Sequence, residues 1–115
     1  MPDEIYYDNS ATTRTREEAA KRVYEMLTSC YGNPSSLHRK GFEAQKQLEL
    51  ARRQVAASLG CQSSEIYFTS GGTEADNIAI LGVARAQKRR GNRIVTTAIE
   101  HDAVLNTVRF LEEEG

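Results

Sequence analysis

The residues best suited to chemistry lie in and after one glycine turn, Ser70-Gly71-Gly72-Thr73. It follows residues 65–69, which are β-branched and aromatic in the manner of a buried strand. It precedes an apolar stretch of helical character. Glycine lets a ligand approach the backbone closely. Thr73 is placed to cap the following helix with its hydroxyl, with Asp76 in the first turn. The free N–H groups of that turn, with the helix dipole behind them, suit a phosphate or a carboxylate. The pattern lacks the Gly-Lys-Ser/Thr ending of a nucleotide-binding loop and the Gly-x-Gly-x-x-Gly of a dinucleotide site. An ordinary strand-to-helix turn is the competing reading. The second candidate is His101, which follows another apolar extended stretch, residues 93–99. In parallel α/β sheets ligands bind beyond the carboxyl ends of strands, and Gly72, Thr73 and His101 all fall there. His38 reads instead as a structural histidine.

Four helices are needed to position these groups. The first is predicted to begin after Thr15, with Thr15 and Glu18 as a capping box, and Ala19, Val23, Met26 and Leu27 form its apolar face. Residues 32–38 read as a loop. The second helix spans residues 40–59 and ends at Gly60, with Ala44, Leu48, Ala51, Val55 and Leu59 as its stripe. The third runs from Thr73 to about Arg90 and is apolar almost all round, so burial on several sides is expected, with Gly82 allowing close packing. Its end carries Lys88, Arg89 and Arg90, which complement the dipole. The fourth spans residues 102–114 and shows Val104, Thr107, Val108 and Leu111 on one side. Strand, helix, strand, helix in this order predicts an α/β fold with a parallel sheet.

Composition narrows the function classes. Fifteen basic residues against sixteen acidic ones leave a net charge of -1, which argues against a nucleic-acid or membrane surface. Cys30 and Cys61 form neither a disulfide framework nor a metal pattern, so no metal ligands are expected. The opening residues lack the basic start and apolar run of a signal peptide, and residues 78–84 are too short a run to span a bilayer. A cytoplasmic location is predicted.

Four motifs occur in order: Asp8-Asn9-Ser10-Ala11-Thr12-Thr13, Gly32-Asn33-Pro34-Ser35-Ser36-Leu37-His38, Phe68-Thr69-Ser70-Gly71-Gly72-Thr73-Glu74-Ala75-Asp76-Asn77 and Thr97-Ala98-Ile99-Glu100-His101-Asp102-Ala103-Val104. Together they closely resemble the amino-terminal part of cysteine desulfurases, members of the class V aminotransferase group of pyridoxal-phosphate (PLP) enzymes. The resemblance covers the whole chain. It implies the amino-terminal portion of an aspartate aminotransferase-like PLP-transferase fold, an incomplete parallel-type sheet with helices. Residues 1–40 would be an amino-terminal segment, and residues 41–115 the start of the PLP-binding large domain. It implies that Gly72 and Thr73 bind the PLP phosphate and that His101 stacks on the pyridine ring and assists proton transfer. Ala11 and Thr12 would lie on the substrate side.

The implied reaction converts L-cysteine to L-alanine and leaves sulfur as an enzyme persulfide for iron-sulfur cluster or thio-cofactor synthesis. A homodimer and a sulfur-acceptor protein are the implied partners. Lys21, Lys40, Lys46 and Lys88 are outside the family's Schiff-base motif, and Cys30 and Cys61 are not at the acceptor position. This chain alone is therefore expected to be an inactive fragment that holds PLP weakly or not at all and self-associates or exchanges strands. Two other readings remain: another class V enzyme such as a selenocysteine lyase, and a short non-catalytic binding module.

Overall fold

In the computed structural model, residues 5–115 are described; the first four residues of the signal-peptide reading lie outside them. Four α-helices and one short 3-10 turn account for the regular structure among the described residues. The chain divides into two compact units, one ending at Ile66 and the other running from Tyr67 to Gly115.

In the first unit, α1 spans Glu17–Thr28 and α2 spans Arg39–Leu59. The predicted Thr15–Glu18 capping box does not form: Arg16 is the N-cap, and its side chain makes no cap bond. With the start one residue later, Thr15 falls outside the helix. Glu17 and Glu18 support the first turn through the dipole instead. The apolar face of α1 is largely open, with Val23 and Leu27 exposed and Met26 half-buried. Arg22 donates to the Gln47 side chain of α2, and Lys40 Nζ donates to the Ser29 carbonyl at 3.3 Å.

His38 is the N-cap of α2, its Nδ1 accepting the Gly41 N–H at 3.3 Å. The structural reading of His38 agrees with this. Gly60 closes α2 at φ 68°, a left-handed conformation that glycine adopts without a Cβ penalty. The buried residues of α2 are Gly41, Ala44 and Ala56. Of the predicted apolar stripe, Ala44 is buried and Ala51 half-buried, while Leu48, Val55 and Leu59 are exposed.

Small residues at the start of α2 have a steric cause. A Cβ on Gly41 would stand 2.2 Å from the Ser36 carbonyl oxygen and 2.8 Å from that of Asn33. A Cβ on Gly32 would stand 2.2 Å from the Lys40 carbonyl oxygen. The loop between the first two helices thus folds back directly onto the α2 backbone. At the other end of α2, Arg52 donates to the Ile66 carbonyl and ties down the 3-10 turn Ser63–Glu65. Cys30 and Cys61 are free, half-buried thiols.

In the second unit, α3 spans Gly72–Gln87 and α4 spans Asp102–Glu114. The two helices pack together and run parallel. Asn77 of α3 meets Thr107 of α4 near one end, and Arg85 meets Glu114 at 3.1 Å near the other. Val104, Thr107, Val108 and Leu111 are half-buried or buried, as the predicted face of the last helix requires. The helix α3 stops at Gln87, and residues 88–90 form a turn.

Burial of α3 on several sides is not found. None of its residues is buried, Ile78 and Val83 are exposed, and a Cβ on Gly82 would meet open space. Nor is the predicted parallel sheet formed among the described residues. Residues 66–69 and 91–97 carry no ladder, and Glu65 belongs to the 3-10 turn. A strand is defined by a ladder of hydrogen bonds to a partner strand, and no such ladder runs along these stretches among the described residues. Ile66 is half-buried, but Tyr67 and Val95 are strongly exposed, as is Ile99 in the turn that follows. The topology nevertheless keeps one mark of the βαβ arrangement. Two parallel helices can be joined only by a chain that returns the length of the first, and residues 88–101 do this.

Candidate active site

Because α3 and α4 are parallel, their amino termini lie at the same end of the second unit. Between them is an open hollow of about 310 Å³, lined by Thr73, Asn77, His101, Asn106, Thr107 and Phe110 together with the first residues of α4. Each helix amino terminus carries roughly half a positive charge from its aligned peptide dipoles. Two of them border one hollow and favour a negatively charged group there, set against the one acidic residue of the lining, Asp102.

At the head of α3 the N-cap is Gly71, which offers no side chain to the first-turn amides. Thr73, expected to be the cap, lies inside the first turn, since the helix begins at Gly72. Neither it nor Asp76 forms the predicted cap. The turn is secured from the other direction. Glu74 Oε2 accepts the Ser70 N–H at 2.6 Å and the Ser70 hydroxyl at 2.7 Å. The Thr69 hydroxyl donates to the Gly71 carbonyl at 3.1 Å. The amides of the first α3 turn keep no intrahelical partner by helix geometry. Both the dipole and these donors fit the phosphate of PLP.

The two bonds from Ser70, the backbone one first, hold the Glu74 carboxyl below the usual glutamate range. A depressed folded-state pKa contributes stability above the unfolded pKa and loses it as pH falls through the folded one. The melting temperature of the wild type, less that of Glu74→Gln, should therefore be positive near neutral pH. It should shrink toward zero as acid protonates Glu74, in paired thermal melts over that range. A difference that persists in acid would show that the carboxylate charge is not what holds the turn.

At the head of α4 the N-cap is His101, whose Nδ1 accepts the Ala103 N–H at 3.1 Å. The approach to it is ordered by Thr97, whose hydroxyl donates to Glu100 Oε1 at 2.9 Å. With Nδ1 engaged as an acceptor, the neutral ring carries its proton on Nε2. Nε2 is thus the atom through which His101 can donate to a group in the hollow. The ring is exposed and so accessible.

The structure thus brings Thr73 and His101 to one hollow, with Gly72 opening the same α3 turn. Ala11 and Thr12 belong to the first unit. They sit in an exposed turn where both of their amides donate to the Asp8 carbonyl, at 3.1 and 3.3 Å. Sequence reading placed Thr107 on the packed side of the last helix and Asn77 in a motif, but gave neither a role in the site. Their signal was local: each lies four residues after a residue whose carbonyl its side chain reaches, Thr73 and Ala103 respectively. Among the described residues no group of three His, Cys, Asp or Glu side chains could hold a metal ion, and no helix is long and apolar enough to cross a membrane.

Residues 5–115 match the family described as Aminotransferase class-V. Over 115 residues the chain is 48% identical to "Cysteine desulfurase IscS" of Clostridium botulinum, covering all of this chain and 29% of that protein. It is 47% identical over 111 residues to "Cysteine desulfurase IscS" of Methanosarcina thermophila, covering 96% of this chain and 28% of the relative. A solved structure titled "NIFS-LIKE PROTEIN" is similar with a TM-score of 0.87 and 42% identity, over 96% of this chain and 30% of that one. The chain therefore spans under a third of the length of these relatives. With a family match along the whole described length and relatives near half identity, the chain belongs to the aminotransferase class-V family.

Proposed function

We propose that this chain supplies the phosphate-binding turn and the ring-facing histidine of a PLP-dependent cysteine desulfurase. The observation that carries the reading is the convergence of Thr73 and His101 on one hollow at two helix amino termini. When bound, PLP supplies an electron sink for bond cleavage at the substrate α-carbon. Gly72 and Thr73 would hold its phosphate with backbone N–H groups and the Thr73 hydroxyl. His101 would lie against the ring, restrict its tilt and hold a transferable proton at Nε2. Ala11 and Thr12 are assigned to the substrate side.

The relatives' name, cysteine desulfurase, supports the choice of reaction in a wider reading. The native polypeptide would act on L-cysteine as a homodimer, pass sulfur as a persulfide to an acceptor protein, and work in the cytoplasm. Residues 1–40 would be its amino-terminal segment, and residues 41–115 the start of its large domain. Stretches 66–69 and 91–97 would become strands of the parallel sheet once partner strands are supplied. These 115 residues alone would be inactive and would associate through such exposed stretches. A monodisperse monomer in solution would refute that last point.

The test is cofactor binding by the native polypeptide that carries these residues. Thr73→Ala should weaken PLP binding by about 1.5–3 kcal/mol, the worth of a hydrogen bond to a charged group. Binding of pyridoxal, which lacks the phosphate, should hardly change. Titration followed by cofactor absorbance reads both constants. A Thr73→Ala variant that binds PLP as tightly as wild type would remove the phosphate assignment.

A further inference from the structure

Thr73 and His101 are linked by polar contacts that pass through the backbone of Ala103. The Thr73 carbonyl accepts from Asn77 Nδ2 at 2.8 Å. Asn77 Oδ1 accepts from the Thr107 hydroxyl at 2.9 Å. The single proton of that hydroxyl is shared with the Ala103 carbonyl oxygen, at 2.6 Å. The Ala103 N–H is the group that His101 Nδ1 caps. Thr107 is only 4% exposed, a buried polar side chain where few of the described residues are buried at all. A pair of apolar side chains would pack α3 on α4 as well and would avoid the cost of desolvating a hydroxyl and an amide. What the polar pair adds is direction.

The Asn77 amide has a donor on one arm and an acceptor on the other. It can satisfy Thr73 and Thr107 together in one orientation only, because the reversed amide would aim oxygen at the Thr73 carbonyl. That fixes the rotation and height of the first α3 turn relative to the first α4 turn. Both turns border the hollow.

We propose that Asn77 and Thr107 are positioning residues that set the first turn of α3, and so the phosphate-binding groups of Thr73, against the His101 end of α4. The proposal rests on the reading of Thr73 as a phosphate ligand. It assigns the pair no contact with the reacting atoms.

The test compares affinities for PLP and for pyridoxal in the native polypeptide. Three variants are needed: Thr107→Val, which keeps the shape and removes the hydroxyl; Thr107→Ser, which keeps the hydroxyl; and Asn77→Ala, at a half-buried helical position that accepts alanine readily. Misplacing the binding groups should lower PLP affinity roughly tenfold in the Val and Ala variants. Pyridoxal affinity should stay within about twofold of wild type, since it makes no use of the phosphate site. Thr107→Ser should restore the ratio. Equal loss for both ligands, no loss for either, or a Ser variant as impaired as the Val variant would overturn the proposal. If Thr107→Val does not fold, the ratio for Asn77→Ala against Thr107→Ser decides by the same criteria. Thr73→Ala separates the two layers. If it leaves the ratio unchanged, the phosphate reading falls and takes this proposal with it. If it lowers the ratio while Asn77→Ala and Thr107→Val do not, positioning by the pair alone is refuted.

Discussion

His101→Asn in the native polypeptide should lose about 10²–10⁴-fold in turnover, the usual contribution of a positioned acid–base group, while keeping α4 capped. The two halves of this expectation come from two atoms of one ring. Nδ1 accepts the Ala103 N–H, and Nε2 is left with the proton. Asparagine is among the best N-caps, and its side-chain oxygen can take over the Nδ1 role. It has no titratable nitrogen to replace Nε2. Its thermal stability should therefore match wild type closely while activity collapses. Alanine removes both roles, so His101→Ala should add a stability loss of about 0.5–2 kcal/mol to the same catalytic defect. Steady-state kinetics and thermal melts of the two variants separate the roles. An asparagine variant with full turnover would show that the ring serves the fold alone.

The largest loss of stability should come from Gly41→Ala. Alanine is ordinarily the best helix former, and in a free helix the change would be favourable by up to about 1 kcal/mol. Here the new methyl would stand 2.2 Å from the Ser36 carbonyl oxygen and 2.8 Å from that of Asn33. Neither obstacle is a side chain that can swing away. The loop of residues 32–36 would have to lift off α2. Overpacking of this kind costs about 1–3 kcal/mol, against the small gain in propensity. Moving the loop would also disturb the Asn33 side chain, which accepts the Ser35 N–H at 2.9 Å. Urea unfolding of wild type and variant checks the sign. A stabilised Gly41→Ala protein would mean that the loop does not rest on α2 in solution.

What the sequence made legible, and what it did not, follows the range of the interactions involved. The close of α2 at Gly60 and the span of α4 could be read because caps and apolar periodicity are local. Gly72, Thr73 and His101 could be picked out because helix starts after apolar runs mark one end of an α/β layer. The cap of α3 was misplaced because Thr73 has the right chemistry two residues too late. Glu74, reaching back to Ser70, does the securing. The capping histidines were not anticipated as caps, since serine, threonine, aspartate and asparagine dominate that position. Strand-like composition at residues 66–69 and 93–99 could not by itself produce a sheet, because strands need partners that composition does not supply. The Asn77–Thr107 pair was beyond reach for a related reason. It joins residues thirty positions apart, and only the parallel packing of two helices makes them neighbours.

Both histidines of the chain are used in one way: His38 and His101 each stand at a helix start with Nδ1 turned to a backbone amide. An imidazole has one basic lone pair in its plane, and here both are already engaged. An acylating reagent such as diethyl pyrocarbonate needs that lone pair, so it must wait for the cap to open. Its rate of reaction at each ring would then time the fraying of α2 and α4 separately. A bound anion that tightens the head of α4 would lengthen the interval at His101 and leave His38 unchanged. The two rings thus form a built-in pair of clocks, one reporting on the hollow and the other serving as its reference.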